Sequence, residues 1–181
     1  MKFFDKFVKF LRDRQELQRF TKAGIYRRAV DNMAPGVLTV EGFFSETHSR
    51  SLALVLSQDA SAFRTLGLNW DRVASRLDEL LHKGAEGLGN AMTVDDEFLV
   101  QVAETRGSFP CPWEDGMFRK RSATIQRLDA SKKLVGPQLL VSDLSIHLIK
   151  EHHFLQGPGT TFRLEPKDLR EVLGASENLD D

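Results

Sequence analysis

MTVDDEFLVQVAET (residues 92–105), MFRKRSATIQRL (117–128) and LVGPQLLVS (134–142) follow one another with β-branched and apolar residues alternating against charged ones. A period of two puts successive side chains on opposite faces of a strand, so three such runs in a row predict an antiparallel meander. The joining segments contain RGSFPCPWEDG and DASKK, whose glycine, proline and aspartate residues suit loops. Pro137 lacks the N–H that a central strand needs, which makes the third run an edge strand or starts it after the proline.

Downstream, SDLSIHLIKEHHFLQGPG (142–159) carries a helical pattern from about Asp143, and EPKDLREVLG (165–174) predicts a last short helix with Pro166 in its first turn and Gly174 at its end. Between them, QGPGTTFR invites comparison with a phosphate-binding loop. It lacks the Gly-Lys-Ser/Thr ending, follows a helix instead of leading from a strand into one, and loses an amide at Pro158, so a helix cap and turn is expected there.

Upstream, NWDRVASRLDELLHKG (69–84) reads as a helix capped by Asn69, with Val73, Leu77, Leu80 and Leu81 on one face and Gly84 as the stop. Residues 49–66 fit a helix, although SLALVLS within them suits a buried strand equally. VLTVEGFF (37–44) reads as a short extended piece after the Ala-Pro-Gly break at 34–36. Residues 2–33 contain no proline and form one long helix, or two meeting near Gly24. The expected fold is therefore α+β: a helical N-terminal half, then a small antiparallel meander closed by C-terminal helices. The chain divides into a basic amphipathic head (1–33), an α+β body (34–174) and an acidic tail (175–181).

The head holds the sharpest periodicity. At about 100° per residue, Phe3, Phe4, Phe7, Val8, Phe10 and Leu11 fall on one half of a helix and the charged residues on the other. Residues 1–30 contain nine lysines and arginines against three acidic residues, whereas the whole chain has a net charge of −1. A phenylalanine face needs a cover. The expectation is a soluble interaction or regulatory module that engages a protein partner or a second copy of itself through these six residues. A membrane surface fits less well because Asp5 and Asp13 dilute the positive face, and nucleic acid is not expected, since the body is acidic and lacks an aromatic-and-basic recognition motif.

At 181 residues with one cysteine, Cys111, the chain suits a single disulfide-free domain. Neither a cleavable leader nor an apolar run near the roughly 20 residues of a spanning helix is evident, so a cytoplasmic setting is expected.

The alternative function is a Cys/His-dependent hydrolase or transferase with a site between the FPCPW loop (109–113) and the histidine helix. Its candidate catalytic residues are Cys111, His152 and His153, with Asp143 or Glu114 as the carboxylate. On a regular helix, His147 and His152 point about 140° apart. On that ground His147 belongs to a solvated arc with Glu151, His152 faces inward, His153 lies at the boundary, and no metal or cofactor is assigned. A His-x4-His pair serves zinc where the helix end is distorted and two thiolates complete the tetrahedron, and this chain has one thiol.

Overall fold

The structure, a computed structural model, describes residues 23–45 and 51–174. The proposed docking residues Phe3, Phe4, Phe7, Val8, Phe10 and Leu11, and the acidic tail, lie outside the described residues. Helix α1 (residues 23–32) is followed by α2 (Leu52–Leu66) and α3 (Trp70–Gly84). Strands β1 (Met92–Val94), β2 (Phe98–Pro110), β3 (Met117–Leu128) and β4 (Leu134–Ser142) come next, then α4 (Asp143–His152) and α5 (Pro166–Leu173). The strands form one antiparallel sheet in the order β1-β2-β3-β4, which makes the fold α+β.

The meander has four strands where three were expected. The 92–105 run is split at Asp95 and Asp96, which take φ of 51° and 58°. Two left-handed central residues give the twist that a tight hairpin needs, and the Glu97 N–H closes the turn onto the Val94 carbonyl at 3.1 Å. Strand β2 then continues through Pro110, into residues read as loop. A register shift between Thr105 and Ser108 leaves Arg106 and Gly107 outside the ladder and carries the strand on to the Cys111 turn. Strand β4 is an edge, as Pro137 requires. Gly136 and Pro137 sit in a bulge between the Gln126–Gln138 and Arg127–Val135 pairs.

Residues 51–66, ambiguous in sequence, are helical because Ser51 caps the Leu54 N–H and Gly67 closes the other end in the left-handed region. VLTVEGFF is not a strand. Its Gly42, at φ 72°, lies so close to the Met33 carbonyl that a Cβ would meet it at 2.7 Å, and this bend turns Phe43 and Phe44 into the core. Gly84 ends α3 for a packing reason: its φ of −61° is helical, but a Cβ there would meet Val100 Cγ1 at 2.4 Å.

Two apolar clusters flank α4. On one side, Val100, Val102, Ile125 and Val141 of the sheet pack with Leu77 and Leu81 of α3 and Ile146 and Ile149 of α4. On the other, Leu144 and Leu148 of α4 pack with Met33, Phe43, Phe44 and Phe154, and Cys111 is part of this second cluster. Placing α4 between two cores fixes its rotation, and with it the directions of its histidines. Arg163, which a phosphate loop would need free, is buried instead in a bidentate pair with Asp59 at 2.6 and 2.7 Å and also donates to the Gln156 carbonyl at 2.8 Å.

Candidate metal centre

The β2–β3 connection is the loop Cys111–Gly116. The Cys111 N–H donates to the Gly116 carbonyl at 2.8 Å, and the Glu114 N–H to the Cys111 carbonyl at 2.9 Å. Glu114 takes φ of 64°, which reverses the chain and presents Asp115 on the same side as Cys111. Helix α1 braces this loop, since the Asn32 amide donates to the Pro112 carbonyl at 2.9 Å and Arg28 to the Glu114 carboxylate at 3.3 Å.

The loop lies against α4, and four donor groups meet there. Asp115 places Oδ1 3.0 Å from His147 Nε2 and Oδ2 3.0 Å from His152 Nε2. Cys111 Sγ lies 3.5 Å from the same His152 Nε2. One ligand atom from each of Cys111, Asp115, His147 and His152 falls within 4.8 Å of all the others. Trp113 stacks on the His152 ring at 4.0 Å and 6°, and Phe118 lies against His147 at 4.2 Å. These aromatics hold each imidazole toward Asp115.

Convergence of His147 and His152 corrects the expectation that they diverge. Their ring centroids are 5.2 Å apart, in an edge-on contact. A helical wheel gives the directions of Cα–Cβ bonds, whereas a ring pivots on two further torsions, and here a neighbouring hairpin supplies a common target. His152 is also the last helical residue: His153 follows in the left-handed region at φ 51°. His147 is therefore not a solvated partner of Glu151; only 14% of its side chain is exposed.

Of the residues singled out from sequence, Cys111 and His152 are brought together. His153 is not; it stacks on Trp70 at 4.8 Å, away from the thiol. The carboxylate of the site is neither Asp143, paired with Arg121 at 2.9 Å, nor Glu114, which faces α1. It is Asp115. Its signal lay in spacing: Cys111-x3-Asp115 and His147-x4-His152 follow the two-pair pattern of zinc sites, with a carboxylate standing for the second thiolate.

The protonation pattern follows from burial and contact. Cys111 is wholly buried, and burial, with the adjacent Asp115 carboxylate, pushes its thiol from 9.0 up to about 12. Burial also lowers the His152 pKa, against the attraction of Asp115. Burial alone would raise the Asp115 carboxyl, but hydrogen bonds from Cys111 and His147 and the nearby imidazoles hold it below the ordinary carboxylate range.

This arrangement departs from a thiol–imidazole–carboxylate relay. There, the nucleophile and the carboxylate occupy opposite ring nitrogens. Here Cys111 and Asp115 share Nε2 of His152, and among the described residues no hydrogen bond reaches its Nδ1. Four potential ligand atoms gathered within 4.8 Å of one another suit a cation. With zinc bonds of about 2.3 Å to sulfur and 2.0–2.1 Å to nitrogen, a tetrahedron has an S···N edge of about 3.6 Å; the Cys111–His152 distance is 3.5 Å.

No protein-family model matches the chain, and comparison with curated proteins and with solved structures likewise finds no significant match.

Proposed function

We propose that this protein is a metal-binding regulatory module whose Cys111, Asp115, His147 and His152 hold one zinc-class divalent ion. The observation that carries this reading is the convergence of Sγ, a carboxylate oxygen and one ring nitrogen from each imidazole within 4.8 Å of one another. One thiolate, two imidazoles and one carboxylate make a borderline donor set that favours zinc over magnesium or calcium, which prefer all-oxygen shells. Four protein ligands with stacked aromatics beside them describe a closed site, in which the ion ties the Cys111–Gly116 loop to α4. Because Arg28 and Asn32 of α1 brace the same loop, metal occupancy bears on α1. The interaction role of the segment that precedes α1 rests on the phenylalanine periodicity of residues 3–11.

A thiol-dependent hydrolase or transferase is the second reading, favoured by the 3.5 Å contact between Cys111 and His152. A thiol with a pKa of about 12 is a poor nucleophile near neutral pH, so that chemistry would need the thiolate to be stabilised first.

Cobalt(II) titration of the reduced, metal-stripped protein separates the two. The metal reading requires one cobalt per chain, an intense thiolate-to-cobalt charge-transfer band, and loss of that band in Cys111→Ser. Absence of the band, together with rapid alkylation of Cys111 at neutral pH, would establish the thiol reading instead.

A further inference from the structure

A second site lies apart from the four metal donors. A cavity of about 460 Å³ is bounded by the 39–43 loop, the outer parts of β2 and β3, the start of α4 and the 156–162 turn. Phe43, Phe109, Leu144 and Phe162 give it apolar walls. Its size falls within the roughly 300–1,000 Å³ of small-molecule pockets.

Two polar groups in its wall make no ion pair or side-chain hydrogen bond among the described residues. Gln156 is 7% exposed, and its carboxamide makes no hydrogen bond among the described residues; only its backbone carbonyl is used, by Arg163. The residue is also held at φ 66°, in the left-handed region. Its amide atoms are not sealed off: among the described residues the buried side-chain nitrogen or oxygen without a partner is Arg170 Nη1, so the Gln156 amide remains open to a ligand. Lys120 is the other: its Nζ lies 4.6 Å above the Phe109 ring, and it makes no ion pair among the described residues.

The neighbouring charges limit what the cavity can take. Arg121 is paired with Asp143 at 2.9 Å, Arg119 lies 3.6 Å from Glu104, and Glu41 accepts from Thr161 at 2.7 Å. Among the described lining residues, Lys120 is the cation without an acidic partner. A nucleotide or other polyanion would need several, and a neutral hydrocarbon would make no use of the Lys120 charge or the Gln156 amide. We infer that this cavity binds an apolar organic monoanion, an alkyl or aryl carboxylate, with its body among the phenylalanines and its head group satisfied by Lys120 and the Gln156 amide.

Isothermal calorimetry of the full chain with octanoate tests the inference, with 1-octanol as the uncharged control. Octanoate should bind one per chain, and 1-octanol at least about tenfold more weakly. Lys120→Met and Gln156→Leu should each weaken octanoate about tenfold, with thermal unfolding reporting that the fold is kept. Lys120 is exposed, so its substitution carries the test even if Gln156→Leu fails to fold. Equal binding of octanoate and 1-octanol, an unchanged Lys120→Met affinity, or no octanoate heat at all would overturn it.

Discussion

Zinc affinity should rise about tenfold per pH unit from about pH 8 upward, and Cys111 should be the reason. Coordination requires the thiolate, and the buried thiol has been carried from 9.0 to about 12. At about pH 7.5, removing that proton costs about 6 kcal/mol, of which about 4 comes from the burial and the neighbouring carboxylate. A structural zinc ion contributes about 10–16 kcal/mol, so binding remains favourable while each ion expels a proton. His152 adds little to this count because burial lowers its pKa below 6.5, and Asp115 is already ionised. Competition against a chromophoric chelator across pH gives the slope, and calorimetry in buffers of differing ionisation enthalpy gives the proton count. One proton per ion is expected, and Cys111→Ser should flatten the slope. A flat wild-type profile, or the same slope in Cys111→Ser, would refute the reasoning.

Four further outcomes are expected. In the metal-free protein, the native chain keeps the Cys111 proton between pH 9.0 and about 12 while the unfolded chain releases it. Stability is therefore full below pH 9 and falls by up to about 4 kcal/mol as pH rises through that window, a slope that urea titration should find missing in Cys111→Ala. Gly84→Ala would normally gain up to about 1 kcal/mol in helix propensity, but with Val100 Cγ1 2.4 Å from the new Cβ it should instead lose about 1–3 kcal/mol, and adding Val100→Ala should restore part of that loss. Asp59→Asn leaves the Arg163 guanidinium, 8% exposed, without its main counter-charge and should cost about 3–5 kcal/mol in denaturant unfolding. Deleting residues 1–14 should lower the sedimentation coefficient if the phenylalanine face joins copies; an unchanged value would remove self-association.

Local chemistry was legible where one residue decides the outcome. Asn69 caps α3 through its side chain, Pro166 and Gly174 bound α5, and Pro137 keeps β4 at the edge, because each acts on the backbone within a few residues of itself. Elements decided by tertiary contact were not. The left-handed turn at Asp95 and Asp96 sits inside a run whose alternation looks unbroken, and the β2 extension through Phe109 depends on a register shift that adds two residues. The site illustrates the same division. Its donors come from two short spacings readable in the sequence, but their meeting depends on a hairpin laid across α4 and on Trp113 and Phe118 setting the ring orientations. Requiring a second cysteine left Asp115 out of the candidate set.

Zinc-edge X-ray absorption of the loaded protein tests the centre most directly, because sulfur and lighter donors scatter at different distances. One sulfur at about 2.3 Å and three nitrogen or oxygen neighbours at about 2.0–2.1 Å are expected, with the sulfur lost in Cys111→Ser. A shell of six oxygen or nitrogen atoms, or one without sulfur in the unaltered chain, would contradict a four-coordinate Cys111–Asp115–His147–His152 site.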